Sequence, residues 1–365
     1  MDYKKELNVQ EPYENKSVNK FDKRLLYLLL LPILLLLFYL AFLYFTPSEQ
    51  EEQEEIAQEE RVDVIHNLEG EVYLTLSPLE TQRPNIYRLS LPFLTLEPLF
   101  EEPQYLNYMA KPCPERENLL FVRAYEDNTS QILLLNKATE EITEVTSASE
   151  FFERNPVFSS DGEKITYWIY EGDGLSWGVG EDPEDNSIYV SSLSGEKEKV
   201  ANGVFPLFTP DDENIIFIKN DGLYSLNLTN DSESKLMPLF TSESIVNLPD
   251  DDIWGWANLR VNYSEMEKML IITDSANEKS HIFELESLIP FNYQKVHSID
   301  TDTPNWPVFY SGGDYMLMQE FETVEPYFPI ISFWFLGGQE PERILTFSLE
   351  DYDIGYVWLT DWITK

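Results

Sequence analysis

The sequence predicts an all-β fold made of repeated small sheets and preceded by one transmembrane helix. First, Leu25–Phe45 is an uncharged run of 21 residues, which is long enough to cross a bilayer. Second, short runs of β-branched and aromatic residues alternate with turn signals from about Val62 onward. Third, a turn-and-strand element recurs about every 50 residues. That period is typical of the four-stranded blades of a β-propeller.

Leu25–Phe45 is predicted to be an uncleaved membrane anchor. Leucine dominates the run, and a spanning helix tolerates Pro32 because neighbouring groups can bind the freed carbonyl. The alternative is a cleaved signal peptide, which usually has a shorter apolar region followed by a small-residue cleavage site. The residues that follow the run, TPSEQEE, hold no such site.

The charges on either side of the anchor predict its orientation. Residues 1–24, a polar tail that we expect to be disordered, hold six Lys and Arg. Glu49–Glu60 holds seven Glu and no basic residue. Because the flank rich in Lys and Arg stays in the cytoplasm, we expect a single-pass protein of the cell membrane with a cytoplasmic amino terminus. Residues 46–61 then form an acidic linker, and residues 62–365 form the propeller outside the cytoplasm.

The composition argues against several classes of function. The chain has 66 acidic and 25 basic residues and a net charge of −41. Nucleic acid and anionic lipid both require a basic surface, so neither is expected as a partner. A basic partner or cations suit this charge better. The single cysteine, Cys113, excludes an intrachain disulfide and is expected to be a small buried apolar residue.

The first repeated element is a turn followed by a strand. Pro156–Trp168 reads PVFSSDGEKITYW, and Pro206–Ile218 reads PLFTPDDENIIFI. Weaker copies cover Pro307–Met318, Cys113–Val122 and Asn262–Ile272. The copies that start at 156, 206 and 307 lie 50 and 101 residues apart, which is one period and two. Asp-Gly or Asp-Asp makes a tight turn, and the leading Pro, which cannot donate to a sheet, suits the start of a strand.

The second repeated element is an apolar-aromatic strand that follows each copy of the first. Its six instances have a mean spacing near 49 residues and predict six blades: Ile86-Tyr87, Ile132-Leu133, Ile188-Tyr189, Leu223-Tyr224, Ile282-Phe283 and Phe333-Trp334. Ile354–Leu359 is predicted to close the ring by pairing with the first blade near Val62–Leu76, because closure removes exposed sheet edges. The one short turn of helix expected in the propeller is Ser147–Arg154.

The segment from Pro156 to Tyr167 resembles the P-x-F-S-P-D-G-x-x-I-A-F motif of TolB-like, or WD40-like, β-propeller repeats. Ile188-Tyr189 and Leu223-Tyr224 resemble the strand that follows the motif in that family. Two copies depart from it: Gly312-Gly313 replaces the S-P-D-G, and the copy at Asn262 lacks the Asp-Gly. The resemblance covers most of residues 62–365, and it implies a propeller with a protein-interaction role.

No catalytic residue is predicted. Gly174–Gly178 reads GLSWG and matches the nucleophile elbow of hydrolases, which needs a buried strand before it and a helix after it. Acidic and glycine-rich segments stand on both sides here, so Ser176 is not expected to be a nucleophile. The three histidines, His66, His281 and His297, lack the spacing of metal ligands, and His281 is expected to be a hydrogen-bonded strand residue.

No metal or cofactor is predicted either. The acidic segments Asp173–Asp185 and Asp300–Asp302 could supply calcium ligands, but neither has EF-hand spacing, and acidic turns are common on surfaces. Two Trp-containing turns, Ile253–Trp256 and Asn305–Pro307, are expected to pack at the starts of blades. Alternatively, one of them lines the mouth of the central channel as a binding anchor.

The sequence therefore predicts a membrane-anchored binding module, not an enzyme. Residues 25–45 contact the membrane, and the partner outside the cytoplasm is a protein, a peptide or an envelope component. Two alternatives remain open at this point: an enzyme or carbohydrate-binding propeller that uses the channel, and a domain that only spaces other envelope parts. Carboxylates that converge on the central channel and have shifted pKa values would favour the enzyme. Fold-level analogy alone is a weak argument for function.

Overall fold

The computed structural model describes most of the chain after residue 67. The described residues are 68, 70–100, 104–113, 117–125, 129–148, 151–170, 183–219, 221–239, 259–264, 269–274, 279–287, 292–300, 305–309, 315–321, 329–337, 340–349, 352 and 354–363. The predicted tail, anchor and linker, residues 1–61, lie outside them and stay predictions. Across the described ranges, no helix is both long enough and apolar enough to cross a membrane.

Twenty-four strands in the described ranges form six antiparallel sheets of four strands each. Sheet 1 contains β24 (Ile354–Ile363), β1 (Gly70–Pro78), β2 (Asn85–Leu91) and β3 (Thr95–Pro98). Sheet 2 contains β4 (Leu106–Pro112), β5 (Asn118–Ala124), β6 (Ser130–Asn136) and β7 (Glu141–Glu144). Sheet 3 contains β8 (Glu153–Phe158), β9 (Lys164–Tyr170), β10 (Asn186–Ser192) and β11 (Lys197–Asn202).

The remaining three sheets repeat the same order along the chain. Sheet 4 contains β12 (Val204–Phe208), β13 (Asn214–Lys219), β14 (Gly222–Asn227) and β15 (Glu233–Pro238). Sheet 5 contains β16 (Leu259–Ser264), β17 (Met269–Asp274), β18 (Lys279–Ser287) and β19 (Asn292–Asp300). Sheet 6 contains β20 (Asn305–Phe309), β21 (Tyr315–Phe321), β22 (Pro329–Phe335) and β23 (Glu342–Ser348).

Both repeated sequence elements occupy fixed places in these sheets. The turn-and-strand element joins the first strand of a sheet to the second, and the apolar-aromatic pair lies in the third strand of all six sheets. In the turn of sheet 3, the Ser159 hydroxyl donates to Asp161 Oδ1 at 2.7 Å. In sheet 4, the Thr209 hydroxyl donates to Asp211 Oδ1 at 2.6 Å. In these two turns the Ser/Thr-x-Asp pattern recurs because the hydroxyl and the carboxylate both accept backbone amides of the turn.

Asp212 joins the turns of two neighbouring sheets. Its carboxylate accepts the Ser160 amide at 2.7 Å and the Asp161 amide at 3.0 Å, although those residues lie one repeat earlier. Asp212 has a φ of 55° and replaces Gly162, whose φ is 66°, in the repeat. The aspartate tolerates this left-handed backbone and adds a link between sheets that glycine cannot make.

The first strands of sheets 2, 3 and 4 each contain a β-bulge. Met109, Asn155 and Phe205 have φ values of 54°, 47° and 53°, and the pairing register shifts at each of them. A bulge frees backbone groups from their own ladder. The Met109 amide donates to Thr75 Oγ1 at 3.1 Å, and the Asn155 amide donates to Met109 Sδ at 3.3 Å. The bulges at Met109 and Asn155 therefore each add a hydrogen bond to the preceding sheet.

The last strand, β24, pairs with the first, β1. Pro78 is paired with Ile354 at one end of this ladder, and Glu71 is paired with Ile363 at the other. The predicted closure is confirmed, and the pairing runs four residues beyond Leu359. Each sheet's first strand also contacts that of the next sheet, in the order β24, β4, β8, β12, β16, β20 and back to β24. The pairing protects the edge of β1 with a strand from the far end of the chain.

The core lies between the sheets. Trp168 and Ile188 of sheet 3 pack with Val204 and Phe217 of sheet 4, and all four side chains are buried. Gly203 lies at this contact, where a Cβ would stand 2.6 Å from the Ile218 carbonyl oxygen, so only glycine fits. Cys113 is buried as expected.

The expected turn of helix at Ser147–Arg154 is wrong. Glu153 and Arg154 begin β8, and Ser147, Ala148, Phe151 and Phe152 are not helical either. The reason is tertiary, because Glu153 and Arg154 alternate as strand residues between two different neighbours. Glu153 hydrogen-bonds Thr146 at the end of sheet 2, whereas the Arg154 guanidinium lies over the Trp168 ring.

Candidate functional site

The segments that join the strands leave the sheets at two opposite faces. We call one the loop face, since it carries the turns between second and third strands and the connections from sheet to sheet. Its described residues are 79–84, 99–100, 104–105, 125, 129, 145–148, 151–152, 183–185, 203, 221, 239, 349 and 352. We call the other the turn face, and it carries the remaining turns. Rigid scaffolds commonly present binding residues on loops of this kind.

A buried arginine and a pair of tyrosines form a cluster on the loop face of sheet 2. The Arg123 guanidinium lies over the Tyr105 ring, 4.2 Å from its centroid, and Arg123 is 7% exposed. Tyr105 meets Tyr125 edge to face at 5.7 Å, and both tyrosines are half-buried. Such stacking on a desolvated cation fixes the rings without covering them. The tyrosine pair is therefore a preformed aromatic surface.

A chain of side-chain amides anchors this arginine to sheet 1. Arg123 Nε donates to Asn107 Oδ1 at 3.0 Å, and Asn107 Nδ2 donates to Asn85 Oδ1 at 3.1 Å. Asn85 Nδ2 in turn donates to the Phe100 carbonyl at 2.6 Å. Each buried polar group is satisfied by the next, which makes the network rigid.

A buried carboxyl group lies between sheets 2 and 3. Glu153 is 1% exposed, its Oε2 accepts the Thr146 hydroxyl at 2.7 Å, and its amide donates to Ser130 Oγ at 3.0 Å. Its Oε1 has no hydrogen-bond partner within the described ranges. Burial raises the pKa of Glu153 to about 7, although the Thr146 bond and the Lys197 charge lower it. The Glu153 charge in turn adds to burial in raising the pKa of Tyr167.

Two exposed apolar side chains share the corner where the ring closes. Leu79 is 49% exposed and Tyr352 is 41% exposed. Leu79 follows Pro78 and Tyr352 precedes Ile354 by two residues, and these strand ends are paired with each other. Phe93, which is 82% exposed, lies on the turn face instead. The loop face thus presents tyrosine rings at sheet 2 and apolar side chains at sheet 1.

Of the three histidines and the serine considered as chemical candidates in the sequence, the structure describes His281 and His297. His281 lies in β18, where its Nδ1 is 3.1 Å from Ser298 Oγ, and burial lowers its pKa to about 4. This confirms the predicted hydrogen-bonded strand residue. His297 lies on the neighbouring strand β19. His66 and Ser176 lie outside the described residues.

The acidic and Trp-containing segments are described only in part. Of Asp173–Asp185, the structure describes Pro183–Asp185, and of Asp300–Asp302 it describes Asp300. The turn at Ile253–Trp256 lies outside the described residues, and Asn305–Pro307 falls in β20. Among the described residues, no group of three His, Cys, Asp or Glu side chains is placed to hold a metal.

Sequence reasoning missed Arg123 and Glu153. The available signal was a charge inside an apolar strand, as in LLFVRAY, or directly after two phenylalanines, as in FFER. A charge in such a position is rarely buried unless it is paired. The sequence alone did not show the sheet-to-sheet contacts that bury these two residues.

Comparison with known proteins supports the fold. No family model and no curated protein matches the chain. TolB from Acinetobacter baumannii aligns with a TM-score of 0.59 and 16% identity, covering 81% of this chain and 67% of TolB. A chain of a nidogen/laminin complex aligns with a TM-score of 0.54 and 10% identity, covering 80% of this chain and 97% of the other. An oligogalacturonate lyase in complex with manganese aligns with a TM-score of 0.47 and 13% identity, covering 72% and 70%. The first two similarities show that the chain has a TolB-like β-propeller fold.

Proposed function

We propose that this protein is a membrane-anchored, six-bladed β-propeller that binds a protein, a peptide or an envelope component outside the cytoplasm. The six four-stranded sheets, their contacting first strands and the β24–β1 pairing support the blade count. The uncharged run Leu25–Phe45 and the opposite charges of its flanks support the anchor and its orientation.

The observation that carries the binding role is the set of aromatic residues on the loop face. Tyr105 lies against the Arg123 guanidinium and meets Tyr125 edge to face, and Tyr352 is exposed at the closure corner. Tyrosine supplies a large amphipathic contact area at a low cost in side-chain entropy, and it is enriched at binding hot spots. The closed circle of sheets holds the tyrosine side chains in one arrangement. Less conformational entropy is therefore lost when a partner binds.

The proposed topology predicts which cysteines an impermeant reagent reaches. Because Cys113 is the only cysteine and is buried, Cys113→Ser gives a background for single new cysteines. In intact cells, a membrane-impermeant maleimide should label Glu80→Cys, at an exposed position, and should not label Ser17→Cys in the tail. Both should label after permeabilisation. Labelling of Ser17→Cys but not Glu80→Cys in intact cells would reverse the topology.

The binding role predicts face-selective cross-linking. A photo-reactive phenylalanine analogue at Tyr352 of the full-length protein in its native membrane should cross-link a discrete protein partner. The same analogue at Phe93, which is more exposed but lies on the turn face, should give at most weak products. The readout is mass spectrometry of the cross-linked bands. Equal products from both positions, or none from Tyr352, would count against a binding module that uses the loop face.

A further inference from the structure

Four hydrogen bonds hold the end of sheet 2 to the start of sheet 3. Ser130 Oγ, at the start of β6, accepts the Glu153 amide at 3.0 Å and donates to the Phe151 carbonyl at 3.1 Å. Thr146 Oγ1 accepts the Ile132 amide at 2.8 Å and donates to Glu153 Oε2 at 2.7 Å. We call these four bonds the inter-sheet joint. Glu153 takes part in two of them, so a change in its carboxyl group affects the joint as a whole.

Groups from both sheets face the Glu153 carboxyl. From sheet 2, these are the buried hydroxyls of Ser130 and Thr146, which carry no charge. From sheet 3, the charge of Lys197 on β11 acts on Glu153, and the charge of Glu153 acts on Tyr167 of β9. Lys197 is exposed, so water screens its attraction for the buried carboxyl.

These surroundings suit the neutral acid better than the carboxylate. In the part of the chain that the structure describes, Glu153 Oε1 lacks a hydrogen-bond partner, and the residue is 1% exposed. The guanidinium of the neighbouring Arg154 lies over the Trp168 ring, 5.2 Å from its centroid. A carboxylate buried in this way loses its hydration, which costs far more than burial of the neutral acid. The closed joint therefore favours a proton on Glu153.

The inter-sheet joint is continuous with the tyrosine pair on the loop face. Ser130 directly follows Thr129, whose carbonyl accepts the Tyr125 amide at 2.9 Å. Tyr125 in turn meets Tyr105 edge to face. The Thr129 carbonyl and the Ser130 amide belong to one planar peptide group. A shift of Ser130 therefore moves the carbonyl that holds Tyr125.

We propose that the proton on Glu153 controls partner binding at Tyr105 and Tyr125: the protonated acid keeps the inter-sheet joint closed, and its ionisation opens the joint and displaces Tyr125. This inference rests on the proposed function and adds a regulation of its site. The joint has two states, and both the proton and the partner favour the closed one. Each must therefore raise the affinity for the other.

The pH range of this control follows from the two states. In the closed joint, burial raises the pKa of Glu153 from 4.5 to about 7, whereas hydration in an open joint returns it to its ordinary value. The closed joint binds the proton more tightly, so it is fully favoured below pH 4.5. Opening becomes easier as the pH rises and levels off above about pH 7, where the carboxyl is ionised in both states.

Hydrogen exchange of the full-length protein in non-ionic detergent tests the joint. Opening exposes the amides of Ile132 and Glu153, which the two hydroxyls hold in the closed state. From pH 5 to pH 8, after correction for the chemical exchange rate, peptides that contain these amides should lose at least about 10-fold in protection. Peptides from β13 and β14 of sheet 4 should change less than about 2-fold. An equal loss in both sets, or no loss in either, overturns the inference.

Matched variants separate Glu153 from other titrating groups. Glu153→Gln cannot ionise, so protection of its joint should differ less than about 2-fold between the two pH values. Glu196→Gln makes the same charge change at an exposed position of sheet 3 and should keep the pH dependence of the unaltered protein. Circular dichroism checks that both variants are folded. If Glu153→Gln does not fold, the pH series of the unaltered protein still decides.

Partner capture tests the regulation itself. The photo-reactive phenylalanine analogue at Tyr352 reports binding and leaves Tyr105, Tyr125 and the joint unaltered. In native membranes, the yield of its cross-linked partner should fall at least about 5-fold from pH 5 to pH 8. In Glu153→Gln the yield should change less than about 2-fold. An equal fall with and without Glu153→Gln would assign the pH effect to the partner and overturn the regulation.

The outcomes distinguish this inference from the proposed function. If the Tyr352 cross-linker captures a partner equally well at both pH values, the binding module stands and its control by the Glu153 proton is wrong. If the cross-linker captures nothing at either pH, the binding module fails, and the regulation of its site fails with it.

Discussion

Truncation of the chain before β24 is expected to abolish the folded propeller. Without residues 354–365, β1 keeps β2 but loses its other partner strand, β24, and sheet 1 keeps three of its four strands. The apolar cluster between sheets 1 and 6 also loses Ile354, which is 2% exposed. Loss of one such isoleucine costs about 2–5 kcal/mol, and a domain is stable by only about 5–15 kcal/mol in total. Limited proteolysis and thermal unfolding should therefore show an unfolded or aggregated chain.

A shorter truncation is the matched control. Thr364 and Lys365 follow the end of β24, so their removal should leave the unfolding temperature within about 2 °C of the full-length value. Ile354→Ala tests the same contact more gently and should destabilise the protein without unfolding it. Cooperative unfolding of the chain that lacks residues 354–365, at a temperature near that of the full chain, would show that closure does not hold the propeller together.

Replacement of Glu153 by glutamine is expected to stabilise the protein above neutral pH and to change little at pH 4.5. Burial raises the folded-state pKa of Glu153 from 4.5 to about 7, so the folded state holds this proton where the unfolded chain has released it. The contribution of Glu153 to stability is therefore full below pH 4.5 and is lost as the pH rises through about 7. The shift corresponds to about 3 kcal/mol, on the order of the stability that Glu153→Gln should restore at pH 8.

The geometry explains why glutamine should be a good replacement. It resembles the protonated acid in shape, and its amide oxygen can still accept the Thr146 hydroxyl. The Glu153 charge also interacts with Lys197 and Tyr167, so both side chains are kept unchanged in every variant. Chemical denaturation of both proteins from pH 4.5 to 9 measures the difference. A difference that does not change with pH would mean that Glu153 titrates normally.

Glu153→Ala separates the charge effect from packing. Alanine removes the charge as glutamine does, but it also leaves the buried Thr146 hydroxyl without this acceptor and opens a cavity between sheets 2 and 3. Alanine should therefore destabilise the protein relative to glutamine at every pH, by about 2 kcal/mol or more. If alanine and glutamine behaved alike, Glu153 would contribute only its charge.

The sequence by itself determined the local structure of the repeats. Asp161 marks the turn after a first strand, because aspartate holds a tight turn. Pro156 was expected at the start of that strand but lies inside β8, at the bulge, where its missing amide is not needed by the ladder. Ile188-Tyr189 marks a third strand through its apolar-aromatic pattern. Even the closure by β24 followed from the sequence, since repeated sheets with two free ends are expected to pair them.

Only the tertiary structure decided which charged residues are buried. Arg123 and Glu153 stand in apolar surroundings in the sequence, but their burial depends on Tyr105, Asn107 and Thr146, which contact them across strands and sheets. The expected helical turn at Ser147–Arg154 failed for the same reason, because local propensity yielded to contacts with sheets 2 and 3. Residues far apart in the chain create these environments, and the period of a repeat does not record which of them meet.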